Sequence, residues 1–116
     1  MKKTEMLKKN YEFRQALSRG RFYTNKEIEI VVLKNNKKIN LLGIAIGTKI
    51  GKAFQRNKAK RLIRECYKIL ETDLKEGNTI IILLKKECDI RNLKFKDVLI
   101  SMKACFDKAK IIKEEE

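Results

Sequence analysis

The amino-acid sequence predicts an α/β fold: a small two-layer sandwich of one sheet and packed helices, in the order α-β-β-(β)-α-β-α. Three observations predict it. Apolar residues recur at helical spacing in three separate stretches, 10–19, 53–73 and 93–109. Residues 28–33 and 40–47 instead alternate with period two. The unbroken aliphatic run at 79–84 reads as a central strand covered on both faces.

Taken in order, residues 1–9 form a basic arm with Lys2, Lys3, Lys8 and Lys9, predicted to be flexible like the charged tail 113–116. Asn10 is the predicted N-cap of the first helix, Glu12 suits its positive end, and Gly20 is the stop. So short a helix requires tertiary packing. In the first strand Ile28, Ile30 and Val32 alternate with Glu27, Glu29 and Val31, and Phe22 and Tyr23 open it or form a short strand of their own. Asn35, Asn36, Lys37 and Lys38 make a polar turn. In the partner strand Leu42, Ile44 and Ile46 share a face, while Gly43 and Ala45 leave the other face shallow. Such a face suits either close packing of a helix or the floor of a groove, and periodicity does not choose between them. Gly77 and Asn78 turn the chain into the aliphatic strand, and 88–92 is a loop. Phe95, Val98, Leu99, Met102, Phe106 and Ala109 then give the last helix a core-packing face.

The 116 residues show no break in composition, so the chain is read as one domain, 1–116. With 29 Lys and Arg against 15 Asp and Glu, its net charge is +14, which attracts polyanions before any specific contact forms. RNA, DNA and an acidic membrane surface all satisfy that condition. The run at 79–84 is far too short to span a bilayer, and the N-terminal stretch lacks an apolar signal core, so a cytoplasmic protein is expected. Cys66, Cys88 and Cys105 are odd in number, widely spaced and without a metal-site pattern; they read as reduced, buried thiols. There is no His, which removes Ser-His-Asp, Cys-His and His-metal chemistry together.

The second predicted helix carries the functional signal. No acid lies between Glu29 and Glu65, an interval that holds ten basic residues. Seven of them, Lys49, Lys52, Arg56, Lys58, Lys60, Arg61 and Arg64, fall within residues 49–64. At about 100° per residue, Ala59, Leu62, Ile63, Cys66, Ile69 and Leu70 share one helix face. Asn57, Lys60, Arg61, Arg64 and Lys68 share the opposite one, flanked by Arg56 and Lys58. A merely solvated helix mixes signs, because like charges one turn apart repel. Collecting one sign on one face costs stability that a polyanion restores on binding, and the arginine fork suits phosphate oxygens.

The stretch 49–64, KIGKAFQRNKAKRLIR, resembles the signature of the bacterial ribonuclease P protein component, roughly K-I-G-x-A-x-x-R-N-[RK]-x-K-R-x-x-R. Arg56, Asn57, Lys58, Lys60, Arg61 and Arg64 all match. The resemblance extends to the opening Leu7, Lys8, Lys9, Asn10, Tyr11, Glu12, Phe13, to Gly20, and to the strands at 28–33, 42–46 and 79–84. It covers nearly the whole chain. It implies the protein subunit of a ribonucleoprotein that removes the 5′ leader from precursor tRNA, with catalysis and most bound Mg²⁺ on the RNA subunit and no catalytic residue on the protein. It also implies a fold similar to the second domain of ribosomal protein S5, with a left-handed crossover through the basic helix.

By the same resemblance Arg56, Asn57, Lys58, Lys60, Arg61 and Arg64 are expected to bind the RNA subunit, with Lys49 and Lys52 extending that surface before the helix and Lys68 continuing it on the same helix face. Lys8, Lys9, Phe13, Arg14, Leu17, Tyr23 and Val31 are expected on the groove that holds the leader. Phe13 either stacks on a leader base or anchors the first helix in the core. The sequence departs from the family pattern at Leu17, often a second Phe, at Glu29 and Val31, often apolar or aromatic, and at Thr48, often Lys. The partners implied are ribonuclease P RNA and precursor tRNA, with no DNA and no membrane. A ribosomal-type RNA-binding protein is the alternative. A free-standing nuclease would need clustered carboxylates or a His base, and a membrane-surface helix would need an apolar face left free for lipid.

Overall fold

A computed structural model describes residues 3–114. In chain order its elements are β1 (Thr4–Met6), α1 (Asn10–Arg19), β2 (Arg21–Asn25), β3 (Ile28–Lys34), β4 (Asn40–Ala45), α2 (Ala53–Leu70), β5 (Asn78–Leu84) and α3 (Phe95–Lys108). The five strands make one mixed sheet in the order β1-β4-β5-β3-β2. β5 takes the centre because its aliphatic run tolerates burial on both faces. It pairs parallel with β4 and antiparallel with β3. The parallel β4–β5 pair makes α2 a crossover connection, and the chain returns through a 3₁₀ turn, Glu71–Asp73, and Gly77 at φ +89°, a value costly for any side chain.

The period-two pattern sorts the sheet into two faces. Ile28, Ile30, Leu42, Ile80 and Ile82 are fully buried against α2 and α3. Val31 and Ile81 point the other way and are fully buried with Ala16 of α1. From α2 the core receives Ala59, Ile63, Cys66, Tyr67 and Leu70. Tyr67 fixes α2 in two directions. Its ring meets Phe106 of α3 edge to face, centroids 6.3 Å apart, and its hydroxyl lies 2.7 Å from Thr4 Oγ1 in β1. No helix among the described residues is long and apolar enough to cross a membrane.

Several expectations need correction. The arm 1–9 is not simply flexible: Thr4–Met6 is the parallel edge strand beside β4, with Thr4 opposite Asn40. Residues 1 and 2 lie outside the described residues. The tail is tied at its start, where Lys113 N donates to Asp73 O at 2.7 Å; residues 115 and 116 lie outside the described residues. Lys9, not Asn10, holds the N-cap position of α1, without a side-chain cap because lysine has no acceptor. Ile69, assigned to the core face of α2, is 54% exposed, and Tyr67 takes its place inside. Phe95, assigned to the core face of α3, is exposed.

All three thiols are buried. Burial, with Glu65 beside it, pushes the Cys66 thiol up to about 11, and burial pushes Cys105 up to about 11 against the opposing pull of Lys108 and Lys85. In the unfolded chain they ionise from their ordinary value of 9.0, so the folded state binds more protons between the two values. Their contribution is therefore complete below pH 9 and lost as pH rises toward 11. The urea midpoint should fall across that window, and less steeply in Cys105→Ala; equal slopes would assign the loss to other groups.

Candidate nucleic-acid interface

The loop before α2 is held by the helix itself. Arg56 Nη1 donates to Thr48 O at 3.1 Å and also to Gly51 O. Gln55 Oε1 accepts from Lys52 N at 2.8 Å, which satisfies one of the free amides at this end. The first turn of α2 contains no acid. Its positive end is thus joined by Lys49 and Lys52, both exposed, where a carboxylate would ordinarily be favoured. That arrangement repels cations and attracts an external anion. Arg56 has a double part: two carbonyls hold its guanidinium, so it sets the loop carrying Lys49 and Lys52 as well as adding charge.

Along the helix, Asn57, Lys58, Arg61 and Lys68 are exposed, and Lys60 and Arg64 are half-buried at the borders of the stripe. Lys68 pairs with Glu65 at 3.3 Å, both in solvent, which neutralises part of its charge. Among the described residues none of the other cations of α2 is in an ion pair. Phe54, left unassigned by the sequence reading, projects 67% exposed from the same surface. With Lys58, Leu62, Ile90 and Leu93 it borders a cleft of about 210 Å³. Its sequence signal was its place one turn before Lys58 and two before Arg61.

A second surface lies on the sheet face that carries α1. Paired residues on neighbouring strands project to the same side, so Phe22, Val31, Ile81 and Gly43 form one row and Thr24, Glu29, Leu83 and Ala45 the next. The Phe13 ring lies on Gly43 so closely that a Cβ there would come within 2.8 Å of it. The shallow spot in β4 is therefore a seat for α1, as close packing would have it, and the ring is only half-buried. Leu17 packs in the same cluster. Lys8, Lys9 and Arg14 are exposed around α1, and Lys9 Nζ sits 5.7 Å from the centre of the Tyr11 ring. Glu29 and Leu83 continue the face into a cleft of about 990 Å³ shared with Lys49, Lys85 and Lys86, so the acid does not stand alone.

Two residues expected on this groove are not available to it. Val31 is fully buried beneath α1. Tyr23 pairs with Ile30 and so projects to the α2 and α3 side. Its neighbour Phe22, 51% exposed, occupies the groove side instead. The error was one of phase, since a one-residue shift along a strand exchanges its faces.

The family model for ribonuclease P matches residues 1–110. The ribonuclease P protein component of Clostridium botulinum is 38% identical over 93 residues, covering 79% of this chain and 84% of that protein. That of Clostridium acetobutylicum is 33% identical over 112 residues, covering 95% and 92%. The solved structure of the Staphylococcus aureus RNase P protein superposes with a TM-score of 0.78 at 27% identity, covering 93% of this chain and 97% of that one. A match of this extent, on a chain whose basic helix and sheet are arranged as described, means that it belongs to the ribonuclease P protein component family and is a subunit of the tRNA 5′-processing enzyme, partnered by the ribonuclease P RNA.

Proposed function

We propose that α2 and the loop before it dock on the RNA subunit, while the α1 face of the sheet holds the single-stranded 5′ leader of precursor tRNA. The observation that carries this reading is the outer face of α2. Arg61, Arg64, Lys58 and Lys60 converge there with no ion-pair partner among the described residues, next to a helix N-terminus that has no acid. Phosphates supply the missing counter-charge. On the other surface, Phe13 offers a half-open ring seated on Gly43, with Phe22 and Tyr11 as exposed aromatics and Lys8, Lys9 and Arg14 around it. Aromatic faces with nearby cations suit unpaired bases on a phosphate chain.

Mg²⁺ belongs, in this reading, with the RNA subunit and substrate. Among the described residues no three acidic or thiol side chains gather as metal ligands. The protein's part is to lower the electrostatic cost of bringing two RNAs together, which is why less Mg²⁺ should suffice in its presence. The work is done in the cytoplasm, in keeping with three unpaired cysteines. The test is to add the protein to a bacterial ribonuclease P RNA at low Mg²⁺. Restored leader cleavage is expected; no stimulation at any protein concentration would remove the proposal.

A further inference from the structure

A third cationic surface lies away from both of these. Beyond the end of α3 the sheet is left uncovered, and a cleft of about 860 Å³ opens there. Arg19, Arg21, Lys34, Lys37, Lys75 and Lys110 surround it. Its one acid, Glu76, is already paired with Lys3 at 3.2 Å. Among the described residues none of the six cations has an ion-pair partner. The floor includes Tyr23 and Val32, which project with Arg21 and Lys34 to the α3 side of the sheet, opposite Phe13. The walls are joined by backbone hydrogen bonds: Lys75 N donates to Ile111 O at 2.7 Å, and Asn35 N to Gly77 O at 2.9 Å. The concavity is therefore built into the fold and does not depend on side-chain placement alone.

Six like charges around an apolar-floored hollow repel one another, and the low-dielectric walls focus their field. A phosphate chain relieves that repulsion. A duplex keeps its bases stacked inside, whereas an unpaired base can reach an aromatic floor. We propose that this cleft is a second RNA site, taking a short single-stranded segment with its phosphates on the rim and a base against Tyr23. It lies on neither the α2 surface nor the leader face, so it goes beyond the function proposed above. The same chemistry is offered by a distal stretch of leader wrapping around β2 and by an unpaired strand of the RNA subunit.

The test uses the full chain and a short fluorescein-labelled oligouridylate. Arg21→Ala/Lys34→Ala/Lys110→Ala should weaken binding about tenfold or more and make the log–log salt dependence shallower by about 2, since each contact on a single strand contributes about 0.7. Lys34→Glu alone should also weaken it, which guards against a folding defect in the triple variant, itself checked by circular dichroism. A control of equal charge, Lys94→Ala/Lys96→Ala/Lys103→Ala, should have a much smaller effect. Loss that grows with leader length in precursor binding assigns the occupant to the leader. Loss of affinity for the RNA subunit without substrate assigns it to that RNA. Unchanged affinity for all three RNAs, or an equal loss in the control, overturns the site. Stimulation of cleavage at low Mg²⁺ by the unaltered protein tests the primary function separately.

Discussion

Replacing Arg61 and Arg64 together by alanine is expected to weaken binding to the RNA subunit by roughly 2 kcal/mol or more, about thirtyfold, near physiological salt. The double variant should also bind with a log–log salt slope shallower by about 1.4 to 1.8, because each lost phosphate contact removes about 0.7–0.9. Both residues lie on the outer stripe of α2, away from the buried Ala59, Ile63 and Cys66, so the fold should be retained. Lysine at the same positions should restore most of the slope but only part of the affinity, since the paired donors of the guanidinium are lost. Filter binding across a salt series separates these quantities. An unchanged slope in the double alanine variant would take both residues out of the interface. Arg56→Ala should behave differently: it frees the carbonyls of Thr48 and Gly51 and loosens the loop that presents Lys49 and Lys52.

Phe13→Ala has the second large effect, and it has two parts. The ring packs with Leu17, Leu7 and the buried Ala16, Val31 and Ile81, so its removal opens a gap beneath α1. A loss of about 2 to 3 kcal/mol of stability is expected, less than for a fully buried phenylalanine. If the open side of the ring also stacks on a leader base, precursor tRNA should bind more weakly by about 1–3 kcal/mol while mature tRNA is unaffected. Leu7→Ala is the control, since it loosens the same cluster without removing an aromatic face and is not among the residues expected to hold the leader. Comparable losses of precursor affinity in the two variants would make Phe13 a packing residue only.

The parts legible in the sequence are those set by local period. The acid-free interval and 3.6-residue spacing placed the cationic stripe of α2 opposite its apolar one, and the aliphatic run of β5 announced the sheet's centre. What stayed hidden depends on distant partners. Three residues beginning at Thr4 carry too little pattern to declare a strand; β1 exists because Asn40 and Leu41 lie alongside and Tyr67 accepts or donates at its side. Tyr67 stands in neither stripe of the α2 sequence pattern; it lies inside because α3 and β1 close over it. Tyr23 was misassigned in phase, because the strand's start decides which of two aromatic neighbours, Phe22 or Tyr23, faces α1. Val31 looked available because nothing in its own strand reports that Ala16 will sit on it. The groove was accordingly less readable than the helix: it is made by α1 and four strands drawn from across the chain, whereas the stripe belongs to one element.

The place of β1 has a consequence for any shortened form of the protein. Thr4–Met6 covers one side of the β4 backbone, and β2 ends the sheet at the other side with exposed Arg21. Deleting the opening segment would bare the amides and carbonyls of Asn40–Leu42 and leave the whole outer edge of β4, a mostly aliphatic strand, without a partner. Such edges recruit one another. An N-terminal truncation would then reveal itself first as self-association and loss of solubility, before any defect in handling RNA.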